Sequence, residues 1–158
     1  MRQEQIIEFI TQSNRIEGII RPPSTNEIVA HQRFLELDLV MCSDVEHFVT
    51  MVANASLRRK EGMNVRIGTH IPPLGGPEVG FKLAQILEEI SGGDSSPWEI
   101  HMMYENLHPF MDGNGRSGRV IWLWMMMHEK PVNHIELYGL PPLGFLQKFY
   151  YQTLDSER

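Results

Sequence analysis

Within the thirteen residues Leu107–Arg119, "LHPFMDGNGRSGR", stand a histidine, an aspartate, two glycines flanking an asparagine, and two arginines three positions apart. Gly113–Asn114–Gly115 is too flexible for a helix interior, yet "GRSGRVIWLWMMMHE" after it has the composition of a helix. A glycine loop feeding a helix start presents free backbone N–H groups and the positive end of the helix dipole, which together favour an anion. Glycine lets that anion approach the backbone. Arg116 and Arg119, at i and i+3 on the first turn, are spaced to face the same anion. Arginines at a helix start oppose the dipole, and a bound polyphosphate would offset that penalty.

Asp112 would repel a polyphosphate unless a divalent cation bridged them, which points to Mg²⁺ completed by phosphate and water. His108 closes the preceding helix beside Pro109, with Phe110 expected to dip into the core. An imidazole there is an available base near neutral pH, and an incoming hydroxyl is its natural proton donor. Each feature alone has an ordinary structural explanation: a packed histidine, a turn, a solvated arginine pair. Their order in one segment favours a phosphate-handling site. A metal hydrolase built on His101, His108 and Asp112 lacks a second spaced ligand motif and leaves both arginines idle.

The elements that must position these residues read as helices. "EQIIEFITQSNRIEG" spaces Ile6, Ile7, Ile10 and Ile16 helically and ends at Gly18. "STNE" at 24–27 opens a helix expected to reach about Met41, and "SDVE" at 43–46 opens one expected to end near "RRK" at 58–60. Further helices are expected over about Pro77–Ile90, from "SPWE" at 96–99 to His108, over Gly115–Glu129, and over Pro142–Leu154. Between them Val65, Ile67, Thr69 and Ile71 alternate with Arg66, Gly68 and His70, the period of a small exposed hairpin. Trp122, Trp124 and Met125–Met127 read as core. Tyr150 and Tyr151 fit a base pocket or core packing equally well. The expected architecture is all-α, a helical bundle with one small β-hairpin flap, in a single domain over 1–158.

Composition sets the outer bounds. A chain of 158 residues with 42% hydrophobic content can bury one core. Fourteen Lys+Arg against twenty Asp+Glu, a net charge of −6, argue against nucleic acid or an anionic membrane as partner. The lone Cys42 forms no internal disulfide and reads as packing, which suits a reducing, cytoplasmic setting. "MRQEQIIEFI" lacks the apolar stretch of a signal peptide, and "VIWLWMMM" is too short to span a bilayer. Oligomeric state is left open, homo-oligomers included.

"HPFMDGNGRSGR" resembles the Fic-family motif H-P-F-x-[D/E]-G-N-G-R-x-x-R at every fixed position. The hairpin with "VRIGTHIPP" resembles the family's flap, and the helix order fits its all-α core. The resemblance implies an enzyme that moves AMP from ATP to a Ser, Thr or Tyr hydroxyl of a target protein and releases pyrophosphate. It implies His108 as general base and Asp112 as the Mg²⁺ ligand. Gly113, Asn114 and Gly115 would bind phosphate oxygens, with Arg116 on the phosphates and Arg119 on the γ-phosphate. The edge over Val65, Arg66, Ile67, Gly68, Thr69 and His70 would dock the target by strand addition. "SNRIEG" resembles the inhibitory motif [S/T]-x-x-x-E-[G/N] of the subclass whose inhibitory helix is N-terminal, here at about 3–18. Ser13 and Glu17 would then be regulatory, with Glu17 taking Arg119 from the γ-phosphate.

Other readings use the same residues. Fic-fold kinases with inverted ATP typically carry lysine where this chain has Gly115. A de-AMPylase would use Glu17 to position water. A non-catalytic nucleotide-sensing module would bind ATP without transfer, and an intact His108 gives it little support.

Overall fold

The structure, a computed structural model, describes residues 2–129. Six α-helices account for its regular structure: α1 (Gln3–Ile16), α2 (Thr25–Leu35), α3 (Cys42–Ala53), α4 (Pro77–Gly92), α5 (Pro97–Leu107) and α6 (Asn114–Glu129). The helix expected over 142–154, with Tyr150 and Tyr151, lies outside the described residues.

The α6 helix is the axis around which the others assemble, with α1, α2, α3 and α5 packed against it. Val120, Ile121, Leu123, Trp122, Trp124 and Met125 are all buried, so the aromatic and methionine run is core as its composition indicates. Phe9 and Ile10 of α1, Val45 and Val49 of α3, and Ile100 of α5 are fully buried around it. No described helix is long and apolar enough to cross a membrane. Cys42 is half-buried against the core, and burial raises its thiol above the ordinary value.

Local chemistry explains the boundaries. Ser96 caps α5 by accepting from the Glu99 amide at 3.2 Å, and the Glu99 carboxylate accepts from the Ser96 amide at 2.7 Å. Ser24 caps α2 by accepting from the Glu27 amide. Three boundaries differ from expectation. The α2 helix stops at Leu35, because the following turn carries the Leu37 carbonyl to the Trp124 indole N–H and Val40 into the core. The α3 helix begins at Cys42, where the Asp44 carboxylate accepts from the Met41 amide at 2.8 Å; Ser43 is already helical. It ends at Asn54, which takes a left-handed conformation, so "RRK" lies beyond the helix.

The alternating stretch 65–71 is the larger departure. It folds as an exposed segment closed by a single antiparallel pair, Ile67 with His70, around a turn in which Gly68 has φ +56. No named strand occurs among the described residues. Pro72 and Pro73 carry no amide hydrogens, so the pairing cannot extend toward Asn64.

Candidate active site

His108 ends α5 in a left-handed conformation, φ 49 and ψ 62, with its amide donating to the Tyr104 carbonyl at 2.9 Å. A non-glycine residue there carries a strain of about 1–2 kcal/mol. The next residues are held by a short antiparallel pairing with 56–58. Arg58 N–H donates to Pro109 O at 2.9 Å, Met111 N–H donates to Ser56 O at 3.0 Å, and Leu57 bridges Phe110. Phe110 is fully buried, as expected from the sequence. The histidine therefore sits between a helix end and a pinned extended strip.

Below it the glycine loop turns into α6. Gly113 has φ +79, and a Cβ there would lie 2.8 Å from the Ala53 methyl, so both conformation and space require glycine. The buried Asn114 side chain makes a reciprocal pair with Phe110: its Oδ1 accepts from the Phe110 amide and its Nδ2 donates to the Phe110 carbonyl, both at 2.8 Å. That amide shapes the loop, where the sequence alone suggested a phosphate ligand. Ser117 and Tyr104, neither legible as site residues, brace the loop from beneath. The Ser117 hydroxyl lies 2.8 Å from the Gly113 carbonyl and 2.6 Å from the Tyr104 hydroxyl. Burial holds the Tyr104 phenol well above its ordinary value, so it stays a neutral donor.

The two arginines part company. Arg116 turns toward the end of α3, where its Nη1 donates to the Val52 carbonyl at 2.9 Å and its Nη2 lies 3.8 Å from Asp112. Arg119, fully buried, turns toward α1. Its Nε donates to the Ser13 hydroxyl at 2.8 Å, and its Nη2 donates to the Ser13 carbonyl at 3.1 Å and to Glu17 Oε1 at 2.6 Å. The shared-anion geometry expected from the i, i+3 spacing is thus replaced by two separate attachments, because each guanidinium reaches acceptors on a different helix. Ser13 and Glu17, one turn apart, both close on Arg119.

Glu17 stands at the C-terminal end of α1, where the dipole disfavours an acid. Arg119 offsets that penalty. The pair also closes over the start of α6: a methyl group built on Gly115 would overlap the Glu17 carboxylate and lie 2.9 Å from Arg119 Nη1. A lysine at this position would meet the same obstruction. Asp112 is largely exposed, and among the described residues its Oδ1 accepts from the Gly113 amide. Its second oxygen can reach a cation that takes its other ligands from phosphate and water, which fits Mg²⁺. No cluster of three or more metal-ligating side chains occurs among the described residues, so His101, His108 and Asp112 do not assemble as a protein cage. His101 instead lies buried with its Nδ1 3.1 Å from the Gly118 carbonyl, and burial pushes its pKa down to about 3.

The 65–70 segment lies beside α5, with Arg66, Gly68 and Thr69 exposed and Val65, Ile67 and His70 half-buried. Its His70 Nε2 lies 3.0 Å from the Asn106 carbonyl, two residues before His108. The residue that the sequence hid completely is Arg58. "RRK" reads as a basic helix end, yet Arg58 is fully buried and donates to four carbonyls.

Comparison with known proteins agrees with this geometry. The model of the Fic/DOC family matches residues 77–126, which span α4, α5, the loop and most of α6. No curated protein matches the chain in sequence. Among solved structures it is similar to a Fic family protein from Desulfovibrio desulfuricans G20, with 19% identity and a TM-score of 0.65 over 98% of this chain. The chain spans 57% of that protein's length. Residues 77–126, which carry the motif loop and the helix start, thus match the Fic/DOC family model, and the fold is similar to that of a Fic family protein.

Proposed function

We propose that this chain is a self-inhibited protein adenylyltransferase. ATP and Mg²⁺ occupy the loop and helix start at 112–119, and a target hydroxyl attacks the α-phosphorus. His108 takes the hydroxyl proton, the new bond joins target oxygen to α-phosphorus, and the bond to the bridging oxygen breaks to release pyrophosphate. Mg²⁺, when held at Asp112, neutralises phosphate charge. The backbone at Gly113 and Gly115 and the side chains of Arg116 and Arg119 position the triphosphate, while Asn114 keeps the loop in shape. Transfer of this kind depends chiefly on orientation and charge stabilisation, so no covalent enzyme intermediate is needed. The exposed segment Val65, Arg66, Ile67, Gly68, Thr69 and His70 is the flap that docks the target's main chain. A cytoplasmic setting, where ATP and Mg²⁺ are available, belongs to this reading.

The observation that carries it is the capture of Arg119 by Ser13 and Glu17 directly over Gly115. A carboxylate in that place competes with the γ-phosphate for one guanidinium and leaves ATP in an unproductive pose. The test is the mass and location of the adduct formed when Glu17→Gly protein is incubated with ATP and Mg²⁺. An AMP adduct on a hydroxyl side chain, absent from Glu17→Gly/His108→Ala, is expected. A phosphate adduct would make the chain a kinase, and no adduct on self or target would overturn transferase activity.

A further inference from the structure

A buried arginine normally faces a carboxylate, because removing an unpaired cation from water costs several kcal/mol. Arg58 is fully buried and, among the described residues, pairs with no acid. It is satisfied by main chain alone. Nε donates to the His108 carbonyl at 2.7 Å and Nη2 to the Leu107 carbonyl at 2.9 Å. Nη1 donates to the Pro73 carbonyl at 2.8 Å and the Met63 carbonyl at 3.2 Å. The first two acceptors are the end of α5 and the strained histidine. The other two are the legs of the exposed 63–73 segment.

Three further observations place the same junction under tight control. The Arg58 backbone joins both sides: its N–H donates to Pro109 O, and its carbonyl accepts from the Gly76 amide at the start of α4. At the base of the segment, a Cβ on Gly75 would lie 2.5 Å from the Met63 carbonyl and 2.7 Å from the Lys60 carbonyl, so the legs are pinched as closely as glycine permits. The His70 imidazole adds a third contact from this segment to the α5 terminus, at the Asn106 carbonyl. Three consecutive carbonyls at the end of that helix are therefore reached by side chains of the segment or of its anchor. Carbonyls there carry the negative end of the helix dipole and suit a cation.

We infer that Arg58 is a positioning residue that fixes the backbone of His108 and the legs of the target-docking segment to one another, so that a docked hydroxyl and the base share a single rigid frame. The inference rests on the adenylyl-transfer reading for its kinetic consequence, but the coupling itself is a property of the fold. A planar guanidinium reaches four carbonyls at once. Lysine keeps the charge and supplies only three donors from one point.

The test compares Arg58→Lys with its parent in a Glu17→Gly background. Arg59→Gln serves as a control, since Arg59 is exposed and paired with Glu46. In Arg58→Lys, kcat for AMP transfer is expected to fall about 10- to 100-fold at an unchanged KM for ATP, because misplacement of a base by about 1 Å has that effect. Amide hydrogen exchange provides the second measurement. Met63, Ile67, His70 and Gly75 on one side, and His108, Phe110 and Met111 on the other, should together exchange about tenfold faster, with α2 and α3 unchanged. Unchanged kcat, faster exchange in only one of the two segments, or faster exchange throughout the core would each overturn the inference. If the Glu17→Gly parent transfers nothing, the transferase reading falls, and the exchange measurement still decides whether Arg58 couples the two segments.

Discussion

Asn114 shows how a motif residue can act through the backbone. Its amide replaces a missing turn of hydrogen bonding by closing on both polar groups of Phe110. Asn114→Ala would leave two buried main-chain groups without partners, a loss of about 2–4 kcal/mol. Thermal denaturation should show the corresponding drop in Tm, whereas Asn114→Asp, which keeps the acceptor but not the donor, should lose about half as much. His31 gives a second prediction. Its Nδ1 lies 2.7 Å from the Glu27 carbonyl, its ring packs edge-on against Phe9 and Phe48, and burial pushes its pKa down to about 4. The charges of Arg116 and Arg119 disfavour its protonation further. Because the folded value lies below the unfolded one, the stabilisation is complete above about pH 6.5 and is lost as pH falls toward 4. Between pH 7.5 and pH 5 this histidine alone should cost about 2 kcal/mol, measurable by urea denaturation at each pH and reduced in His31→Phe.

At the scale of elements, α1 is a structural part of the core as well as the carrier of Glu17. Phe9 and Ile10 are fully buried, and Asn14 Nδ2 donates to the buried Glu27 carboxylate at 2.5 Å. Burial alone would raise that carboxyl, but hydrogen bonds from Asn14 and Arg21, the Arg21 charge and the Ser24 hydroxyl hold it below the usual carboxylate range. Phe9→Ala should cost about 3–5 kcal/mol, read as a lowered urea midpoint. Deleting α1 would therefore confuse unfolding with release of the proposed inhibition, and substituting Glu17 is the cleaner intervention.

The same elements show what the sequence could reveal. Serine–proline–glutamate patterns and the helical spacing of Ile6 and Ile10 located α1, α4, α5 and α6 closely, because capping and amphipathicity are local. The end of α2 and the shortened pairing at 67–70 were not legible. The first depends on Trp124 reaching Leu37 across the molecule, and the second on prolines that withhold the donors an alternating pattern needs to pair. Arg58 was hidden for a related reason. A basic triplet looks solvated until the chain folds four carbonyls around one of its members.

For the whole molecule, the loop and helix start at 112–119 could be read from residue types alone, but the state in which they are held could not. That state depends on residues 102 to 106 positions away in the chain, Ser13 and Glu17, reaching Arg119 through the packing of α1 on α6. The central claim is that this contact restrains transfer from ATP. The rate of AMP incorporation from ATP labelled at the α-phosphorus, in wild-type and Glu17→Gly protein under identical Mg²⁺, tests it most directly. Freeing a charge-assisted contact of this kind predicts a rise of at least about tenfold. Equal rates in the two folded proteins would contradict the account.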